Sequence, residues 1–246
     1  MTDPHRQARM ATSFGREAAS YSKGRPDYPE AAIAHLIPSD ARVVVDIGAG
    51  TGKLTASLLS PGRTVIAVEP DRVMLDALSS ALPTVHSVSG TAEQTTLDDS
   101  VADVLTYGQA WHWVQPEPAT AEAARVLQPG GRIGLVWNIR DESVPWVAAL
   151  TDIMSASAAE LFVARGGPRL RTHFGSLEHK AFDWERRMTS EQLVAMAASR
   201  SHVITAAEAE RTRILAGVQE LADDVADGDG VIVLPYRTHV YRAHRL

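Results

Sequence analysis

The run VVVDIGAGTGKLT, residues 43–55, restricts the fold of this chain more than any other stretch. Val43, Val44, Val45 and Ile47 make a short β-branched segment that reads as a strand buried on both faces, with Asp46 set among the apolar residues. Gly48, Gly50 and Gly52 follow at once. Glycine loses more backbone freedom on folding than any other residue, so this spacing demands a steric reason. Either the turn is tight, or something lies where a Cβ would stand.

Downstream, apolar strand patterns alternate with helical ones. Strands are expected at 42–47, 64–68, 85–88, 103–107 and 132–137. Helices are expected at 53–59, at 72–82 behind Asp71 as N-cap, and at 116–127, stopped by Pro129-Gly130-Gly131. Strands apolar on both faces and separated by helices predict a parallel sheet covered on both sides. The tail changes character. Residues 181–187 read as a strand, and Thr189 with Gln192 makes a capping box for a helix to Ser199. Residues 208–226 read as a long helix. Residues 231–234 and 238–242 read as an antiparallel hairpin, with Pro235 at its turn or edge. Residues 138–180, broken by Gly166, Gly167, Pro168 and Gly175, are expected to be irregular and to cap a site. No linker-like tract or repeat divides the 246 residues, so one domain is expected: an N-terminal lid (1–38), a ligand-binding core (39–138), a cap (139–180) and a C-terminal completion of the sheet (181–246).

Composition excludes several classes. A formal charge of -6 argues against a nucleic-acid partner. The absence of cysteine removes disulfides, zinc–thiolate sites and thiol nucleophiles. The first residues carry no apolar leader, and no stretch approaches the roughly 20 apolar residues that span a bilayer. A cytoplasmic protein without a membrane partner is expected. No carboxylate or histidine cluster has metal-ligand spacing, so no metal is expected. The pattern says nothing of oligomeric state.

Three ligands suit a glycine turn after a first strand. A P-loop requires glycine at position 47 and Ser or Thr at position 54, where the chain has Ile47 and Leu54. A dinucleotide fingerprint fits Gly48 and Gly50 but puts Lys53 at the third glycine; Glu69 sits near the acidic position, so a nicotinamide-dependent oxidoreductase stays as an alternative. S-adenosylmethionine needs close backbone approach, met by Gly48-Ala49-Gly50 and Gly52. It needs a carboxylate for its ribose at the end of the second strand, met by Glu69 with Pro70 beside it. It also needs recognition of a neutral purine, offered by Thr91, Ala92 and Glu93.

Taken together, VVVDIGAGTGKLT, VIAVEPD, VSGTAEQTTLDDSVADVLTYGQAWHW and LQPGGRIGLVWN resemble the successive motifs of class I S-adenosylmethionine-dependent methyltransferases. FGREAASYSKGRPDYP (14–29), AWHW and LPYRTHVYRAHR resemble a small-molecule branch near the trans-aconitate methyltransferases. The resemblance implies a doubly wound, mostly parallel α/β sheet of seven strands with an antiparallel last strand, and S-adenosyl-L-methionine as cofactor. It also implies that Asp46 orders the glycine loop and approaches the ligand's amino group. Ala92 would offer its N–H to the adenine and Glu93 would accept from the exocyclic amine, while Gln109 and Ala110 would line the transfer site. Met74 is placed against the adenine or in the core.

Trp111, His112 and Trp113 follow the fourth strand, at the end where open α/β sheets bind ligands. His112 is expected to orient the acceptor or take its proton. Phe14, Arg16, Tyr21, Arg25 and Tyr28 precede the first strand and are expected to fold as a lid, with Tyr21 and Tyr28 near the sulfonium or acceptor and an arginine on an acceptor carboxylate. The whole predicts methyl transfer to a small organic acceptor, with oxygen favoured. A non-catalytic ligand-binding protein on the same fold is the alternative outside enzymes.

Overall fold

The computed structural model describes residues 25–170 and 172–246. Phe14, Arg16 and Tyr21 lie outside them.

Seven strands form one sheet: β1 (Val43–Ile47), β2 (Thr64–Val68), β3 (His86–Val88), β4 (Ala102–Gly108), β5 (Leu127–Arg140), β6 (Glu178–Met188) and β7 (Ile232–His244), in the order β3-β2-β1-β4-β5-β7-β6. β1 to β5 pair in parallel, and β7 runs antiparallel to both neighbours, β5 and β6. The strand order reverses at β1 and β4, so the carboxyl ends of these two strands flank the crevice where such sheets take ligands. This is the expected doubly wound architecture.

Side chains alternate across the sheet as strand geometry requires. Val45, Leu105, Ile133 and Leu135 pack on one face with Ala119 and Ala123 of α4 (Pro116–Val126). Val44, Val104 and Val136 pack on the other with Ala32 and Leu36 of α1 (Glu30–Leu36) and Leu54 and Leu58 of α2 (Lys53–Leu58). Leu78 of α3 (Arg72–Ala81) joins this second layer, and Asp71 caps α3 as expected, accepting from Val73 N and Met74 N. At the start of β1, Asp103 Oδ2 accepts from Arg42 N and Val43 N, both at 2.8 Å, and so ties β1 to β4. Asp103→Ala is expected to cost about 1–3 kcal/mol of stability, read as a lower urea midpoint at unchanged slope. An unchanged midpoint would remove that role.

Three sequence expectations are corrected. Residues 138–180 are not irregular: β5 runs on to Arg140, and α5 (Pro145–Met154) and α6 (Ala158–Ala164) follow. α5 buries Val147, Leu150 and Met154 at helical spacing, and α6 opens on a complete capping box between Ser157 and Glu160. β5 also begins earlier than expected, at Leu127. Ala102 pairs with Leu127 and Val104 with Arg132, so the Pro-Gly-Gly segment bulges out between two paired stretches instead of separating helix from strand.

The tail forms no hairpin. Residues 231–234 and 238–242 belong almost wholly to the single strand β7, and Pro235 sits inside it. Pro235 O accepts from Asp141 N, which places both backbone polar positions of Pro235 on the β5 side. The β5 ladder has already ended there, at the pair Arg140–Tyr236, so no ladder donor is missing.

A third apolar cluster joins α5 to α7 (Ser190–Ala198) and α9 (Glu208–Val225), with the four-residue α8 (Ser201–Ile204) between them and Ile232 and Leu234 of β7 beneath. These helices stand over the carboxyl end of β5. Among the described residues no helix is long and apolar enough to cross a membrane.

Candidate cofactor and acceptor site

The turn after β1 is held by its own backbone. Gly48 N and Ala49 N both donate to Val68 O, and Gly52 N donates to Ala49 O. Gly48, Gly50 and Gly52 have φ of +67°, +57° and +87°, conformations that other residues adopt only under strain. The three glycines serve different ends. A Cβ on Gly48 would stand 2.8 Å from Ala110 Cβ, so Gly48 lets the β4 end abut the turn. A Cβ on Gly52 would press on Leu78 and Leu82, so Gly52 lets α3 pack close. A Cβ on Gly50 would meet nothing within 4 Å. Gly50 alone borders open space.

Glu69, at the end of β2, closes this space. Its Oε2 accepts from Gly50 N at 2.8 Å and its Oε1 from Asp71 N at 2.9 Å, with the residue only 7% exposed. Burial pushes its carboxyl above the usual range, while the two N–H donors and the nearby Asp71 charge act in opposite senses. Each oxygen keeps a second acceptor site. Thr51 contributes a buried hydroxyl without a hydrogen-bond partner on the same turn.

Asp46 lies directly beneath. It is fully buried, its Oδ2 accepts from Thr55 Oγ1 at 2.7 Å and its Oδ1 from Thr106 Oγ1 at 3.0 Å. Burial pushes its pKa up to about 7, against the two hydroxyl donors. The structure makes Asp46 the internal tie between β1, β4 and α2.

The other walls follow. Pro70 is exposed, whereas Met74 is buried. Thr91 and Gln94 close a tight turn, Ala92 is buried in it, and Glu93 Oε1 accepts from Gln115 N at 2.8 Å, fastening the turn to the start of α4. Gln109 is held at φ +56° by its N–H to Val136 O and its Nε2 to Asn138 O, so the chain bends sharply as it leaves β4. Asp27 pairs with Lys53 at 2.8 Å and accepts from Asn138 Nδ2 through its carbonyl. A Cβ on Gly108 would stand 3.0 Å from the Tyr28 hydroxyl, so Tyr28 lies against the β4 end. Residues 27–28 therefore cross the mouth of the crevice.

Beside it stands an aromatic group. Trp111 is buried edge-on to Tyr107, and it lines a cavity of about 270 Å³ with Pro116, Glu117, Thr120 and Phe162. His112 lies between Trp113 and Phe162, with centroids at 4.7 and 6.2 Å. Its Nδ1 accepts from the indole N–H of the fully buried Trp137 at 3.2 Å. An indole N–H only donates, so His112 carries its single proton on Nε2. Burial, aided by the Arg25 charge, lowers its pKa to about 3. The imidazole is thus a neutral donor, which corrects the expectation that it takes the acceptor's proton.

Sequence reasoning missed four groups near this end of the sheet: Thr51, and the buried set Arg140, Glu160 and Arg200. The Ser157–Glu160 capping box was a readable signal for α6; nothing local marks Arg140 or Arg200. Among the described residues no cluster of His, Asp and Glu is arranged to hold a metal.

A family model for a methyltransferase domain matches residues 45–135, the stretch from β1 into β5. An uncharacterized methyltransferase of Mycobacterium tuberculosis is 43% identical over 95% of this chain and 96% of its own. An uncharacterized methyltransferase-like protein of Schizosaccharomyces pombe is 31% identical, over 95% of each chain. The solved structure of a candidate type II methyltransferase from Anaeromyxobacter dehalogenans shares the fold, with a TM-score of 0.59 over 90% of this chain and 97% of its own at 24% identity. The chain belongs to the class I methyltransferases.

Proposed function

We propose that the crevice over Gly50 holds S-adenosylmethionine, with Glu69 on its ribose, and that the protein carries the methyl group to an oxygen of a small organic acceptor. One observation carries the reading: an acceptor-only carboxylate, fixed by two backbone N–H groups, faces the single glycine of the turn whose Cβ position is open. The unpartnered Thr51 hydroxyl fits a polar ligand there. When bound, the cofactor supplies a sulfonium-activated methyl group. The protein then has to align the acceptor and exclude water, work that positioning alone performs. Residues 27–28 cover the crevice, Ala110 abuts Gly48 of the turn, and Gln109 ties the β4 end to β5. His112 offers an Nε2–H to orient an acceptor and takes no proton from it, so an oxygen that arrives already ionised, such as a carboxylate, suits the site best.

Gly50→Ala tests the reading. The variant should fold, with about 1–2 kcal/mol of backbone strain, because its Cβ meets no protein atom. Calorimetry should show S-adenosylhomocysteine bound at least tenfold more weakly. Affinity equal to that of the parent chain would place the ligand elsewhere. Incubation with labelled cofactor and a panel of small carboxylic and hydroxy acids then identifies the acceptor atom.

A further inference from the structure

Arg140 is the last residue of β5, at the sheet end that carries the crevice, and its side chain is 1% exposed. Its Nε donates to Glu160 Oε1 at 3.1 Å and its Nη2 to Thr151 Oγ1 at 2.8 Å. Arg200, between α7 and α8, grips the same carboxylate with Nη1 on Oε2 and Nη2 on Oε1, at 3.1 and 3.2 Å. Glu160 also accepts from Ser157 N at 2.7 Å. Two buried guanidinium groups therefore share one buried carboxylate. A guanidinium stays charged in a protein, and the second carboxylate that acts on Arg140 is the exposed Glu142, which reaches it through the Thr151 hydroxyl.

The donors show a shortfall of partners. Arg140 Nη1 and Arg200 Nε are buried and make no hydrogen bond. Native chains seldom leave buried donors unmade, and a buried charge without a partner is costlier still. Both guanidinium groups close on Glu160 Oε1. Helix-anchoring by Glu160 alone needs one arginine. The second arginine and the unused N–H groups are what a ligand oxyanion would satisfy, with planar donors suited to a carboxylate or a phosphate.

We infer that Arg140 and Arg200 form an oxyanion-binding subsite that holds an anionic group of the methyl acceptor and thereby selects acidic acceptors. This rests on the methyltransferase reading only for the identity of the ligand as acceptor. Glu160 is the positioning residue that orients both guanidinium groups.

The test uses the full chain and two probes, succinate and inorganic phosphate, titrated in separate arms by calorimetry at constant ionic strength. Arg200→Lys is the variant, because it keeps a cation beside Glu160 while removing the planar Nε–H; Arg200→Gln, with its melting temperature measured, is the second. At least one probe should bind the parent chain, and its dissociation constant should rise tenfold or more in Arg200→Lys. Preference for succinate assigns a carboxylate acceptor, and preference for phosphate a phosphorylated one. Failure of both probes to bind, or equal binding by parent and variant, would overturn the inference. S-adenosylhomocysteine is titrated in parallel. Its affinity should be unchanged in Arg200→Lys, and its failure to bind the parent chain would overturn the cofactor reading while leaving the probe result to stand on its own.

Discussion

Replacing Glu69 by alanine is expected to weaken S-adenosylhomocysteine binding by tenfold to a hundredfold or more. A hydrogen bond to a charged group is worth about 1.5–3 kcal/mol, and each 1.4 kcal/mol is a factor of ten in affinity. The carboxylate also fixes the turn: it accepts from Gly50 N and Asp71 N, so the alanine variant frees two donors beside the crevice. Glu69→Gln separates the two roles. Its amide oxygen keeps one of these contacts, but its NH2 faces the other donor, and it cannot accept on both sides. The amide variant should bind weakly while melting closer to the parent chain than Glu69→Ala does, because it leaves one donor unmade instead of two. Unchanged affinity by calorimetry in both variants would remove Glu69 from the site.

The second large effect concerns stability and pH. Asp46 has its pKa raised from 3.8 to about 7 by burial. Between these values the unfolded chain has released the Asp46 proton while the folded chain still holds it. Unfolding therefore releases a proton, and Asp46 makes the fold progressively less stable as pH rises from about 4 to about 7. Below that window both states are protonated and the effect vanishes; above it both are ionised and the penalty is constant. Three pKa units correspond to roughly 4 kcal/mol, as an order of magnitude. Asp46→Asn keeps an acceptor for the Thr55 hydroxyl and can donate to Thr106 Oγ1, whose own proton can turn to Val45 O, 3.4 Å away. Urea titrations should show the variant gaining on the parent chain as pH rises from 4 to 8. A stability difference that stays flat, or reverses sign, across that range would show that the buried carboxyl is not held protonated.

Much of this architecture was written in local patterns. The apolar runs of β1, β2 and β4, the Asp71 cap and the Thr189 capping box stand within a few residues of the features they specify, and each was readable. The misreadings share a physical cause: they turn on what a segment meets far along the chain. Pro235 reads as a turn until β5 is seen to end beside it. Gly166 and Gly167 read as breaking a whole region whose helices end just before them. The glycines after β1 read alike, yet only Gly50 faces open space, because Ala110 crowds Gly48 while Leu78 of α3 and Leu82 just after it crowd Gly52. His112 looked like a base until Trp137, distant in sequence, supplied an indole proton to Nδ1. Arg140, Glu160 and Arg200 are separated by 20 and 40 residues, so no periodicity could join them.

The structure of the protein bound to S-adenosylhomocysteine tests the central claim most directly. The account predicts the nucleoside lying over Gly50 with its sugar hydroxyls donating to the Glu69 oxygens. A complex whose ribose lies away from Glu69, or crystals that leave the Gly50 crevice empty at saturating ligand, would contradict it.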